Sequence, residues 1–332
     1  MATKLPTRPL GKTGLDITPV GIGAWAIGGE AWGPQDDQVS VDAIRHAVAR
    51  GINWIDTAAI YGLGHSEEVV GAALRQISPE ERPLVFTKCG LVWPEETPER
   101  KHVRRSGRAA SVRREAEASL KRLGVEVIDL FQMHWQPEDA PIEEYWQAML
   151  DLKQEGKVRH VGLSNHDTAA LDAAEAIGHV ETLQPPFSMI RRDSAATVLP
   201  WCLEHGTGTL VYSPMQAGLL SGAFSAERVA NLPDSDWRKK DVQFTDNLEK
   251  NLALVDALRP IAEKHESSVG TIALAWALTW PGLTAAIVGA RSPEQVDGWI
   301  GAASLALDGE DLTAITAAIR ATGAGSGPVE PV

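Results

Sequence analysis

Eight short apolar runs, each followed by an amphipathic stretch, set the pattern of this 332-residue chain. They read VGIGAW, INWIDTA, LVFTKC, VIDLFQMH, VRHVGLSN, ETLQPPF, GTLVYSP and AAIVGA. Continuous runs of this length suit strands covered on both faces, while the segments between them carry a helical period. In SVRREAEASLKRLG the residues Val112, Ala116, Leu120 and Leu123 share one face, and Gly124 supplies a stop. A second such face runs through Leu248, Leu252, Val255, Leu258 and Ile261. Strand then helix, eight times over, predicts an α/β fold of the closed (β/α)8 TIM-barrel type. A doubly wound sheet is the competing architecture, but no GxGxxG follows the first run to open a helix.

Three other stretches complete the expected layout. RPLGKTGLDITPVG reads as a hairpin turning at residues 11–14, placed to plug the barrel bottom. The connections over residues 92–107 and 216–246 are long, and both follow strand ends, where barrel enzymes build their sites. Residues 1–320 are taken as one barrel domain. The Gly/Pro-rich ATGAGSGPVEPV, residues 321–332, is taken as a flexible tail.

A formal net charge of −13 argues against nucleic acid and anionic membranes as partners, since both need a cationic footprint. The two cysteines, Cys89 and Cys202, form no CxxC or zinc-like spacing, and no run approaches a membrane span or a signal peptide. These features favour a cytoplasmic protein acting on a small molecule, with no metal; oligomeric state is not inferable.

The polar residues that interrupt the apolar runs fall at strand ends. Asp56 ends the second run, Tyr61 lies five residues on, Lys88 ends the third and His134 the fourth. Each alone has an ordinary structural reading, as a turn residue, a half-buried anchor, a snorkelling charge or a satisfied core histidine. Together they call for more, because a buried lysine needs a partner and Asp56 is on the neighbouring strand. A lysine ammonium near a phenol is expected to lower its pKa from about 10. Such a set is suited to protonating a carbonyl oxygen as a hydride arrives at its carbon.

In order and in strand context, DTAAIYG, the lysine of FTKCG, the histidine of FQMHW and GLSNH resemble the motifs of the aldo-keto reductases, over nearly the whole chain. The resemblance implies reduction of an aldehyde or ketone with NADPH, reversible as alcohol or sugar dehydrogenation. In it Tyr61 is the general acid/base, Asp56 and Lys88 tune it, and His134 orients the carbonyl. It assigns Ser164, Asn165 and Gln184 to the nicotinamide carboxamide and Tyr212 to stacking on the ring. Ser164 and Asn165 also read as a capping pair before a helix at Thr168.

The segment SPMQAGLLSGAF, with Ser213, Pro214, Gly218, Leu220 and Gly222, has small residues that let amides approach a pyrophosphate. After the eighth run, Gly289, Arg291, Ser292 and Gln295 resemble the family's site for the 2′-phosphate of NADP(H). Gly298 and Trp299 stand where relatives commonly carry a Glu-Asn pair for the adenine, which leaves NAD(H) open as well. Arg238, with Lys239 and Lys240, is placed to close over the phosphates. Trp25, Trp32, Trp93 and Trp135 are candidates for an aromatic pocket wall, Trp25 also touching the cofactor. The basic cluster at 100–105 reads as solvent-facing. Two other readings stay open: a cofactor-binding regulatory subunit with little turnover, and a lyase that forms a Schiff base on Lys88.

Overall fold

The computed structural model describes residues 5–29, 32, 33, 35–94 and 96–331. All eight apolar runs become strands: Val20–Gly23, Trp54–Asp56, Leu84–Cys89, Ile128–Met133, Val158–Ser164, Thr182–Gln184, Gly208–Val211 and Ala285–Gly289. They pair in parallel, each with the next, and the last returns to the first through Ala286↔Val20 and Gly289↔Gly23, which closes the barrel. The doubly wound alternative is thereby excluded.

Burial separates the two faces of every strand. Ile55, Val85 and Phe131 point outward into the layer beneath the helices, whereas Trp54, Phe86 and Leu130 point into the barrel with Leu210, Ala285 and Ile287. Alternation of side chains along a strand requires this. Gly21 makes room inside, since a Cβ there would lie 2.1 Å from the Trp54 ring. Trp54 stacks on Phe86 at a centroid distance of 5.3 Å and donates its indole N–H to the Thr18 carbonyl.

The hairpin forms from Arg8–Pro9 and Asp16–Ile17, and its Leu10 and Ile17 join the interior cluster, so it does close the barrel floor. Outside, the helix Ala109–Leu123 buries Val112, Ala116 and Leu123, and Gly124 at φ 68° ends it by donating to the Leu120 carbonyl. The helix Leu248–Lys264 buries Val255, Leu258 and Ile261. Neither long connection is irregular. The one after strand three is a small hairpin, Leu91–Val92 paired with Arg104–Arg105. The one after strand seven carries the helix Ala226–Ala230 and the 3-10 turn Trp237–Lys240. Among the described residues no helix is long and apolar enough to cross a membrane.

The C-terminal stretch departs from expectation. The helix Gly309–Thr322 runs past residue 320, and Ala324 is buried. Arg192, 2% exposed, donates to the carbonyls of Ala324, Gly327 and Pro328, and its backbone N–H donates to Ser326. Gly325 has no room for a Cβ, which would lie 2.3 Å from Ile190. Over residues 321–328 the reading of 321–332 as a flexible tail is therefore corrected, because backbone carbonyls there serve a buried guanidinium; residue 332 lies outside the described residues. Deleting residues 324–332 removes three of that guanidinium's acceptors and should lower the unfolding free energy by about 3 kcal/mol in urea titration, where a free tail would leave it unchanged.

Candidate active site

The inward alternation that seats Trp54, Phe86 and Leu130 continues one step toward the strand ends, and there it seats Asp56, Lys88 and Gln132. His134 follows by the same count. Lys88, 1% exposed, donates from Nζ to Asp56 Oδ1 at 2.5 Å and to the Thr57 carbonyl at 2.9 Å. Asp56 uses its other oxygen to accept from Gln184 Nε2 at 2.8 Å. Burial pushes Asp56 up and Lys88 down, each toward neutrality, and the charge of the other opposes both shifts. The lysine's second bond and the Gln184 donor support the charged pair.

Tyr61 is carried by a turn locked to the first loop. Gly28 packs so closely that a Cβ would lie 2.8 Å from Gly62 N and from Tyr61 C. The Lys88 ammonium lies 5.3 Å from the Tyr61 ring centroid, and the His134 ring meets Tyr61 edge-on at 5.7 Å. The structure thus brings all four predicted residues together. It reverses the expected direction of the phenol's shift, however. Burial drives the Tyr61 pKa well above its usual value of 10.0 and the Asp56 carboxylate adds to that, with Arg100 opposing. The Lys88 charge is spent on Asp56. His134 is held well below 6.5 by burial, then by Lys88 and Arg100, so its imidazole is neutral. A neutral phenol and a neutral imidazole side by side can each donate one hydrogen bond to a shared oxygen.

Around them opens a cavity of about 750 Å³. Its wall includes Trp25, Trp32, Trp135, Ser164, Asn165, Gln184, Tyr212, Ser213, Pro214, Gly218, Arg238, Gly289, Arg291 and Gln295, all singled out from the sequence. Ser164 and Asn165 are not a capping pair, because Asp167 caps the helix Thr168–Glu175. Instead Asn165, in the left-handed region at φ 58°, donates from Nδ2 to the His134 carbonyl and accepts on Oδ1 from the Tyr212 hydroxyl. Gln184, with Nε2 committed to Asp56, has its side-chain oxygen as an acceptor on the cavity wall. A Cβ on Gly289 would meet nothing nearer than 4.0 Å, which leaves bare backbone for a ligand to approach. This donor and acceptor set fits a carboxamide beside an aromatic plate, as a nicotinamide requires.

Four of the predicted cofactor and pocket residues lie off that wall. Trp93 borders a separate cavity of about 780 Å³ between the helices His65–Arg75 and Ala109–Leu123. The hairpin after strand three turns it there, which a loop reading could not anticipate. Leu220 is fully buried, Gly222 packs on Val269, and Ser292 sits at the start of the helix Pro293–Asp297. Arg238 lines the cavity but is bound by Asp236 at 2.6 Å, and its guanidinium lies over Trp32 at 5.2 Å and Phe224 at 5.3 Å. Arg291 reaches back to the first loop, donating to Gln35 Oε1 at 2.5 Å and to the Trp32 carbonyl at 2.9 Å. Trp237 packs on Trp25 at 6.1 Å and on Trp32 at 5.8 Å. It was missed, although a tryptophan beside the basic triplet in a long loop was its signal. Arg100, read as solvent-facing, also lines the cavity.

Comparison with known proteins places this architecture. The family model "Aldo/keto reductase family" matches residues 19–320. The aldo-keto reductase YhdN of Bacillus subtilis (strain 168) is 34% identical over 312 residues, covering 93% of this chain and 92% of that protein. The NADH-specific methylglyoxal reductase of Escherichia coli (strain K12) is 35% identical over 321 residues, covering 92% and 95%. Among solved structures, the glycerol dehydrogenase AKR11B4 from Gluconobacter oxydans superposes with a TM-score of 0.87 at 36% identity, over 100% of this chain and 99% of that one. The aldo-keto reductase AKR11C1 from Bacillus halodurans, in its holo form, gives 0.79 at 23% identity over 95% and 96%, a likeness of fold.

Behind Lys88 the strand is tied down by Glu115, which accepts from the Gly90 amide at 2.8 Å and from Ser111 at 3.2 Å. Its burial raises the carboxyl from 4.5 to about 7. The folded protein therefore holds this proton more tightly than the unfolded chain does. The stabilisation is full below pH about 4.5 and is lost as pH rises through about 7. Glu115→Gln keeps the acceptor without the charge. Relative to that variant, the natural protein should lose about 3 kcal/mol of stability between pH 4.5 and 8, read by urea unfolding at each pH.

Proposed function

The chain belongs to the aldo/keto reductase family, and from that premise we propose that it reduces aldehydes or ketones with NADPH in the cytoplasm, and oxidises alcohols or sugars in reverse. The observation that carries this reading is a neutral phenol and a neutral imidazole meeting edge to face, above a buried ammonium–carboxylate pair.

When bound, a reduced nicotinamide supplies hydride for the carbonyl carbon. Tyr61 holds the proton for the oxygen in its O–H, and His134 orients that oxygen with an N–H. As the oxygen gains negative charge, the Lys88 ammonium beneath Tyr61 stabilises the phenolate left after proton transfer, and Asp56 keeps that lysine charged and in place. Ser164, Asn165 and the oxygen of Gln184 would hold the carboxamide and Tyr212 the nicotinamide ring, and the backbone about Gly218 and Gly289 would receive the pyrophosphate. Trp25, Trp32 and Trp135 wall the substrate end, while Arg105 lies over the Trp135 ring at 5.0 Å. A Schiff base on Lys88 is disfavoured, because an amine held 2.5 Å from a buried carboxylate keeps its proton and has no lone pair to offer.

Arg291 is the residue for the 2′-phosphate, although its guanidinium already serves Gln35 and Trp32. One relative is NADH-specific by name, so the preference rests on this side chain. Arg291→Ala should cut kcat/KM for NADPH about tenfold or more and leave that for NADH within about twofold, in assays with a common aldehyde. An equal loss with both cofactors would remove Arg291 from phosphate recognition.

Tyr61→Phe should lower aldehyde-dependent NADPH oxidation by about 100-fold or more while NADPH still binds, as followed by fluorescence titration. Full turnover in the variant would take the proton-donor role away from Tyr61.

A further inference from the structure

Directly behind the Ser164–Asn165 turn lies a buried pair that the proposed reaction does not use. His166 is 4% exposed and Tyr145 is 1% exposed. The Tyr145 hydroxyl lies 3.0 Å from His166 Nε2, and His166 Nδ1 lies 2.8 Å from the Ser164 carbonyl oxygen. A carbonyl can only accept, so Nδ1 carries the proton. Nε2 is then a lone pair, and the tyrosine must donate to it. The polarity of the whole chain, Tyr145 O–H to imidazole to Ser164 C=O, is fixed by its last member.

What this chain holds is the turn that spans three strand ends. Asn165 has a left-handed backbone at φ 58°, a conformation that needs support in a residue with a Cβ. Its side chain joins the His134 carbonyl on one side to the Tyr212 hydroxyl on the other, at 2.9 Å and 2.8 Å. Ser164 itself donates to the Gln184 carbonyl at 2.8 Å. The only link from this turn to the helix Ile142–Gln154, on the outside of the barrel, that carries a hydrogen-bond polarity among the described residues is the His166–Tyr145 contact.

We propose that Tyr145 and His166 are positioning residues for the cofactor: through the Ser164 carbonyl they set the Ser164–Asn165 turn in the orientation that receives the nicotinamide amide and aligns Tyr212 behind the ring. The inference rests on the nicotinamide reading above. Neither side chain lines the cavity, so their effect reaches the ligand only through the turn. Burial holds the imidazole near a pKa of about 4, in keeping with one neutral tautomer throughout the working range.

The test is direct titration of the purified protein with NADPH and with NADH, by fluorescence, beside steady-state kinetics with an aldehyde. Three variants are compared. His166→Leu removes both bonds, Tyr145→Phe removes the outer donor, and His166→Asn keeps a donor in reach of the Ser164 carbonyl. The expected order of Kd is wild type, then His166→Asn and Tyr145→Phe at about threefold weaker, then His166→Leu at about tenfold weaker. The kcat at saturating cofactor should fall by less than the Kd rises, because Tyr61, Lys88 and His134 are untouched. Long-range 1H–15N spectra should show the Nδ1-protonated tautomer at His166, a readout that stands even if His166→Leu fails to fold. Wild-type binding with unchanged Kd in the variants, or an Nε2-protonated His166, would overturn the inference alone. A wild type that binds neither NADPH nor NADH would overturn the nicotinamide reading, and the inference with it.

Discussion

The barrel mouth is organised by one contact, the 2.5 Å bond between a lysine and an aspartate that are both almost wholly buried. Two ions in such a place cost several kcal/mol each to desolvate, and their mutual attraction offsets this only when the remaining valences are filled. They are filled here. Thr57 takes a second lysine hydrogen and Gln184 donates to the second carboxylate oxygen. The consequence spreads along three strands, because Asp56, Lys88 and Gln184 can meet only if the second, third and sixth strands keep their register. Any slip by one residue would exchange Lys88 for Thr87 or Cys89 and put an ammonium into the helical layer.

That dependence explains which parts were legible from the sequence. The run LVFTKC alternates in a way that forces Lys88 inward once Phe86 is inward, and WID and LFQMH obey the same count. The closed barrel and the inward Asp56, Lys88 and His134 therefore follow from periodicity, while the plugging hairpin was marked by its turn glycines and Tyr61 by its place in the loop after the second strand. Trp93 and Leu220 do not, because their directions are set by a hairpin and a 3-10 turn inside the long connections, where no period operates. The C-terminal stretch fails for a related reason. Its contribution is backbone carbonyls gathered around Arg192, and carbonyls are present in every residue and leave no mark in a sequence.

The cofactor cleft shows how far residue type alone goes. Ser164, Asn165, Gln184 and Tyr212 were identified by resemblance, and the structure gathers them on one wall. It also shows them already bonded to one another and to the mouth, which residue type could not reveal. Gln184 belongs as much to Asp56 as to any ligand, and Asn165 as much to His134. Arg238 and Arg291 likewise tie loops together, to the Ala217 and Trp32 carbonyls. A side chain at such a site is therefore preorganised by its protein partners, and a ligand finds donors whose directions are already set.

The direction of the Tyr61 shift bears on how the proposed chemistry proceeds. A phenol with a lowered pKa would spend part of its time as phenolate and would serve equally as base and acid. Here burial and Asp56 keep the proton on the oxygen. The resting site is thus set to donate, and the phenolate becomes affordable only when charge develops on the bound carbonyl oxygen and the Lys88 ammonium has something to stabilise. For alcohol oxidation the first requirement is the reverse, a phenolate in the same buried place. The positive charge of an oxidised nicotinamide, if bound in the cleft, would supply what the resting site lacks. On this argument the carboxylate of the ion pair holds the resting phenol protonated, its ammonium stands ready for the phenolate, and the species bound in the cleft determines which way the proton moves.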